Sequence, residues 1–116
     1  MLDQAYASSC ESVPDPFNVS GRAESNEVVL VLTGEADASA APLLSRALSH
    51  ASWYRHARVA VDIADLGFID THCLAIIFGA RDELRDRGAD LVLRSPRPSV
   101  RRLLDLLERQ DLIENT

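Results

Sequence analysis

The sequence predicts an α/β domain, a sheet with helices packed on it. Three observations carry this prediction. Short aliphatic runs alternate with segments of helical apolar spacing along most of the chain. Val28-Val29-Leu30-Val31-Leu32 is a continuous and largely β-branched run, as a buried strand requires. Two strand candidates then run into acidic junctions, Glu35-Ala36-Asp37 and Asp70-Thr71, where helices must begin. With 116 residues, 47% of them hydrophobic, the chain has room for one ordinary domain and not two.

Residues 1–22 are rich in Ser, Pro and acids, and read as a flexible acidic tail with a short strand near Phe17 to Val19. The domain proper is then 23–116. Its strand 28–32 should end at Gly34, and Ser39 should cap a helix that tolerates Pro42 in its first turn. Leu43, Leu44, Ala47, Leu48 and Ala51 supply the apolar face of that helix. Trp53 to Ala57 connects to a strand over Arg58 to Ile63, where Val59, Val61 and Ile63 point one way and Ala60 and Asp62 the other. A loop from Ala64 to Asp70 leads to a helix from Thr71 to Arg87, with Leu74, Ile77, Phe78 and Leu84 inward and Gly88 as its stop. Asp90 to Arg94 is a short strand. Ser99 should cap a last helix striped by Val100, Leu103, Leu104 and Leu107, and Leu112-Ile113 adds an edge strand.

The net charge of −6 argues against a phosphate backbone as the partner. All 12 basic residues are arginine. Arg94, Arg97, Arg101 and Arg102 cluster near the last helix, and read as a solvated face offset by Asp105 and Glu108 rather than a nucleic-acid patch. No apolar run approaches the roughly 20 residues of a membrane span, and no signal-like segment opens the chain. The expected location is the cytoplasm. Cys10 and Cys73 lack metal-site spacing, and a redox link between them would need the tail to fold back.

Asp70, Thr71 and His72 have the residue types of a nucleophilic triad, but neighbours at a helix start diverge instead of converging. His50 and His56 have nothing in the sequence to bring them near. A phosphoacceptor has better physics, because a helix N-terminus offers free N–H donors and a positive dipole end. Residue type alone reads Thr71 as a helix cap. His72 reads as a solvent-facing helix-start residue rather than a phosphohistidine. Cys73 reads as a packed small residue, although its place at a helix N-terminus could lower its pKa.

Leu32-Thr33-Gly34-Glu35-Ala36-Asp37 is similar to the first signature of the STAS-domain anti-sigma factor antagonists, T-G-E-x-D at a strand end. Val61-Asp62-Ile63 followed by Asp65-Leu66-Gly67-Phe68-Ile69-Asp70 resembles their second, L-x-[FY]-[IM]-D before a phosphorylatable Ser or Thr. Asp90 to Leu93 and Pro98 to Leu104 fit the third strand and last helix, so the resemblance runs from about residue 26 to the end. It implies a STAS-like single layer of about four to five mixed strands with helices mainly on one face. It also implies that Thr71 is the phosphoacceptor, and that Asp37, Asp70, Thr71 and His72 form the partner-binding surface. The implied partner is an anti-sigma factor of the GHKL serine/threonine kinase type, which supplies the ATP, with a phosphatase to reset the system. The chain itself would be a ligand and substrate, not an enzyme, with no cofactor or metal of its own. The alternative is a STAS module, never phosphorylated, that scaffolds a signalling complex or senses a ligand. The family usually continues with a small residue and glycine after the phosphoacceptor, whereas this chain has His72 and Cys73.

Overall fold

The computed structural model describes residues 16–24, 26–52 and 58–114. Strand β1 (Asn18–Glu24) runs antiparallel to β2 (Glu27–Ala36), and a 3-10 turn, Ala38–Ala40, leads into α1 (Ala41–Ser52). Then come β3 (Arg58–Ile69), α2 (Thr71–Asp86), β4 (Asp90–Arg94), α3 (Pro98–Leu106) and a 3-10 turn, Gln110–Leu112. The strands lie in the order β1-β2-β3-β4, and both the β2–β3 and β3–β4 pairs are parallel. This is the expected mixed single layer, with four strands.

Alternation along the strands decides which face the helices cover. Val28, Leu30 and Leu32 of β2, Val59, Val61 and Ile63 of β3, and Leu91 and Leu93 of β4 share one buried cluster with all three helices. The helices contribute Leu44 and Leu48, Leu74 and Ile77, and Val100 and Leu104. Each such aliphatic side chain is worth about 1.5–3 kcal/mol when fully buried. Ala60 faces away from the helices, as expected, yet it too is fully buried.

The two central strands outrun their sequence signals. Gly34 does not end β2. It sits inside the strand at φ 89, next to a register shift, and the chain pairs with β3 as far as Ala36. Glycine adopts that backbone without a Cβ clash, so the strand bulges and continues. The segment expected as a loop from Ala64 is likewise strand as far as Ile69, because Thr33 pairs with Asp65 and Ala36 with Ile69. Leu66 and Ile69 are buried by that extension.

The remaining corrections are local. Asp37, not Ser39, caps the first helical turn, and its carboxylate reaches the Ser39 N–H without strain. Leu43 turns outward at 41% exposure, as does Leu107 at 40%, while Ala41 joins the core. Arg97 takes the cap position of α3 because Pro98 occupies the first helical residue, where a missing N–H costs nothing. Leu112 is buried, but the expected last strand is one parallel bridge, Leu93 to Ile113. The strand expected near Phe17–Val19 is β1, which runs through the boundary drawn at residue 22. The rest of the expected tail, residues 1–15, and the Trp53 to Ala57 connection with His56 lie outside the described residues.

Gly88, at φ 82, closes α2 as expected. Arg81 is an unanticipated core residue, 5% exposed and paired with Asp90 at 3.2 Å and Asp111 at 2.7 Å. On the sheet face away from the helices, Arg94 bonds both Glu27 and Glu114, and Arg58 pairs with the same two carboxylates. The Arg94 guanidinium holds the Glu114 carboxyl below its ordinary value of 4.5. A depressed carboxyl contributes stability that is complete above that value and is lost as the pH falls through the folded one. Glu114→Gln should therefore lower stability at pH 7 by about 1–3 kcal/mol. It should also flatten the loss of stability below pH 4.5, as read by urea unfolding from pH 7 to pH 3.

Candidate functional site

The two longest strands end side by side. Ala36 pairs with Ile69, and the Asp70 N–H donates to the Ala36 carbonyl at 3.0 Å. Each strand then turns into a helical segment capped by its own aspartate. Asp70 has extended backbone, and its Oδ1 accepts the Cys73 N–H at 2.8 Å. Asp37 Oδ1 accepts the Ser39 N–H at 3.0 Å and the Ser39 hydroxyl at 2.6 Å. The Ser39 side chain, then its N–H, holds the Asp37 carboxyl below its usual value. Both aspartates named from the sequence therefore stand at the carboxyl ends of adjacent parallel strands.

Thr71 is not the cap. With Asp70 in that position, Thr71 is the first helical residue, and both it and His72 are exposed. A phosphate on Thr71 would sit at the positive end of a 16-residue helix, where anions are favoured. The structure thus brings Asp37, Asp70, Thr71 and His72 to one end of the sheet.

Cys73 faces inward with no exposed surface, and its Sγ donates to the Asp37 carbonyl at 3.3 Å. The departure from glycine therefore adds no bulk to the outer surface, and only His72 does. Burial, followed by the Asp70 hydrogen bond and the Asp70 and Asp37 charges, pushes the Cys73 thiol up to about 12. Cys73 is the packed small residue that the sequence suggests, and desolvation outweighs the helix dipole that could have lowered its pKa. Iodoacetamide at pH 8 should leave Cys73 unmodified in the folded protein and alkylate it in 6 M guanidinium, as read by peptide mass spectrometry. Native modification of Cys73 would contradict this burial.

Two further residues belong to the surface. Phe68 is 45% exposed on β3, opposite Glu35. The Glu35 carboxylate lies over Gly67, 2.6 Å from where a Cβ would stand. No strand phase in the sequence marked Phe68 as surface, because it stands two residues from the buried Leu66, where regular alternation would bury it as well. Asp65 is also exposed, four residues before the end of β3. Of the other histidines, His50 is exposed on α1 and its place in the fold is the flank of the domain. Among the described residues no cluster of His, Cys, Asp or Glu could hold a metal ion, and no helix is long and apolar enough to cross a membrane.

These features define a single-sheet α/β domain whose distinctive surface is a pair of aspartate-capped helical starts. The chain belongs to the STAS-domain family, since the family described as "Mlab, STAS domain" matches residues 19–114. A search of curated proteins finds no match. Among solved structures, the fold is similar to an anti-sigma factor antagonist from Mycobacterium paratuberculosis, at a TM-score of 0.78 and 20% identity over 88% of this chain and 86% of that one. The anti-sigma factor antagonist SpoIIAA in its unphosphorylated form gives 0.74 at 20% identity, covering 87% of this chain and 88% of that one. The Bacillus cell fate determinant SpoIIAA in the phosphorylated form gives 0.68 at 20% identity, covering 87% and 91%. At this level of identity the likeness shows the shared fold.

Proposed function

We propose that this chain is an anti-sigma factor antagonist whose Asp37–Asp70–Thr71–His72 surface binds an anti-sigma factor, and that phosphorylation of Thr71 ends the binding. The observation that carries the reading is the exposed Thr71 hydroxyl-bearing residue at the start of α2, beside a cap made by Asp70. Its similarity in fold to SpoIIAA, described in phosphorylated and unphosphorylated forms, supports the same reading. The partner is an anti-sigma factor of the GHKL serine/threonine kinase type, which brings ATP and the catalysis. A phosphatase restores the unmodified protein. In this scheme the chain acts in the cytoplasm as ligand and substrate, and its release of a sigma factor follows from occupying the anti-sigma factor.

The test is capture from native lysate by wild type, Thr71→Ala and Thr71→Glu, with phosphosite mass spectrometry on the wild type. The reading predicts that an ATP-binding anti-sigma kinase is held by wild type and Thr71→Ala and lost by Thr71→Glu, and that Thr71 carries phosphate. Equal capture by all three with Thr71 unmodified would leave a constitutively binding scaffold. His72, exposed beside Thr71 where the family has a small residue, is the feature that would favour that outcome.

A further inference from the structure

A second surface on the flank shares no residue with the Asp37–Thr71 face. Between β1 and α1 lies an open groove of about 370 Å³. Val28 and Leu30 line it from β2, Gly21 and Ala23 from β1, and Ala47 and Ala51 from α1. Arg46 and His50, one turn apart on α1, also line it and are exposed. No acidic residue does so among the described residues, although the chain as a whole carries −6. Among the described residues, strand β1 is at the edge of the sheet and pairs only with β2, which leaves its outer backbone groups open to another strand. An open strand edge beside an apolar groove and a helix is the arrangement that accepts an extended segment by strand addition.

The charge and the connectivity point to one occupant. Residues 1–15 carry Asp3, Glu11 and Asp15 with no Arg or Lys, and offer Leu2, Tyr6 and Val13 to an apolar floor. They join the domain immediately before Pro16 and Phe17, and Phe17 already packs on the core. Fifteen extended residues reach about 50 Å, and β1 with its 7 residues needs only about 23 Å of cover. The intervening Val13-Pro14-Asp15-Pro16 has the residues of a chain reversal. We propose that the β1–α1 groove is the docking site of the chain's own residues 1–15, added beside β1 as an acidic fifth strand. Docking covers the open edge and screens Arg46, and it makes no demand on Thr71.

The 116-residue chain supplies its own probe. Cys73 is fully buried, so a thiol-reactive nitroxide attaches at Cys10. In ¹⁵N spectra of the labelled chain, the amides of Gly21, Ala23, Leu43 and Ala47 should lose most of their intensity relative to the reduced label, while those of α3 keep theirs. Arg46→Glu, at an exposed position, should restore that intensity, and Arg102→Glu should not. Broadening that is absent, or evenly spread over the surface, overturns the proposal. So does broadening that persists unchanged in Arg46→Glu. A mixture of spin-labelled unlabelled-nitrogen chains with ¹⁵N chains lacking the nitroxide should show no groove broadening, and a signal there would assign the groove to a second copy instead.

Discussion

Phosphorylation of Thr71 is expected to weaken binding to the captured anti-sigma factor by about a hundredfold, with Thr71→Glu weaker than wild type in the same direction and Thr71→Ala within a few-fold of it. Thr71 is exposed, and Asp37 and Asp70 already make its end of the sheet acidic. A partner packed on that surface must accommodate any added volume and charge where little water remains to screen them. A phosphate adds about −1.5 to −2 charges and three acceptor oxygens. A combined steric and electrostatic penalty of roughly 3 kcal/mol corresponds to about two orders of magnitude in Kd. Titration calorimetry with the purified partner measures this directly. Equal affinities for the alanine and glutamate variants would show that the partner does not pack on Thr71. The helix start tolerates the anion, so the same Thr71→Glu protein should unfold at a Tm close to wild type. That separates loss of binding from loss of fold.

The largest effect on stability is expected from Leu66→Ala, at about 2–5 kcal/mol. Leu66 is fully buried in the half of β3 that carries the chain up to Asp70, paired across from Gly34. Truncation leaves a void in the core under a stretch of β3 that its pairing with β2 holds in place. For a domain of about 100 residues this lowers Tm by more than about 10 °C. Phe68→Ala, two residues on, is the matched control. Its ring is 45% exposed, so its removal should cost well under half as much as Leu66→Ala. Comparable losses at the two positions would mean that the outer half of β3 is not strand.

Much of the site could be read before the fold was seen. Asp37, Asp70, Thr71 and His72 stand together at one end of the sheet because each follows a strand signal that the sequence carries locally. Their separate roles were less legible. Whether Asp70 or Thr71 caps α2 depends on which residue adopts extended backbone, and both residue types are good caps. Cys73 was legible as a packed residue, but not its hydrogen bond to the Asp37 carbonyl, because the helix phase that aims it there follows from that cap. Phe68 passed as part of a pattern until its exposure showed it to be surface.

What the sequence determined by itself was the order of elements, the inward stripes of the strands and helices, and the acidic strand-to-helix junctions. These are encoded by periodicity and by the preferences of neighbouring residues, which act over a few positions. Only the tertiary structure decided how far β2 and β3 extend, because Gly34 continues as strand when β3 lies beside it. It also decided that Arg81 can be buried, since its partners Asp90 and Asp111 lie 9 and 30 residues away. The Glu27–Arg58–Arg94–Glu114 network is of the same kind, joining charges 20 to 67 residues apart. Such contacts exist only once the sheet has assembled, and no local pattern announces them.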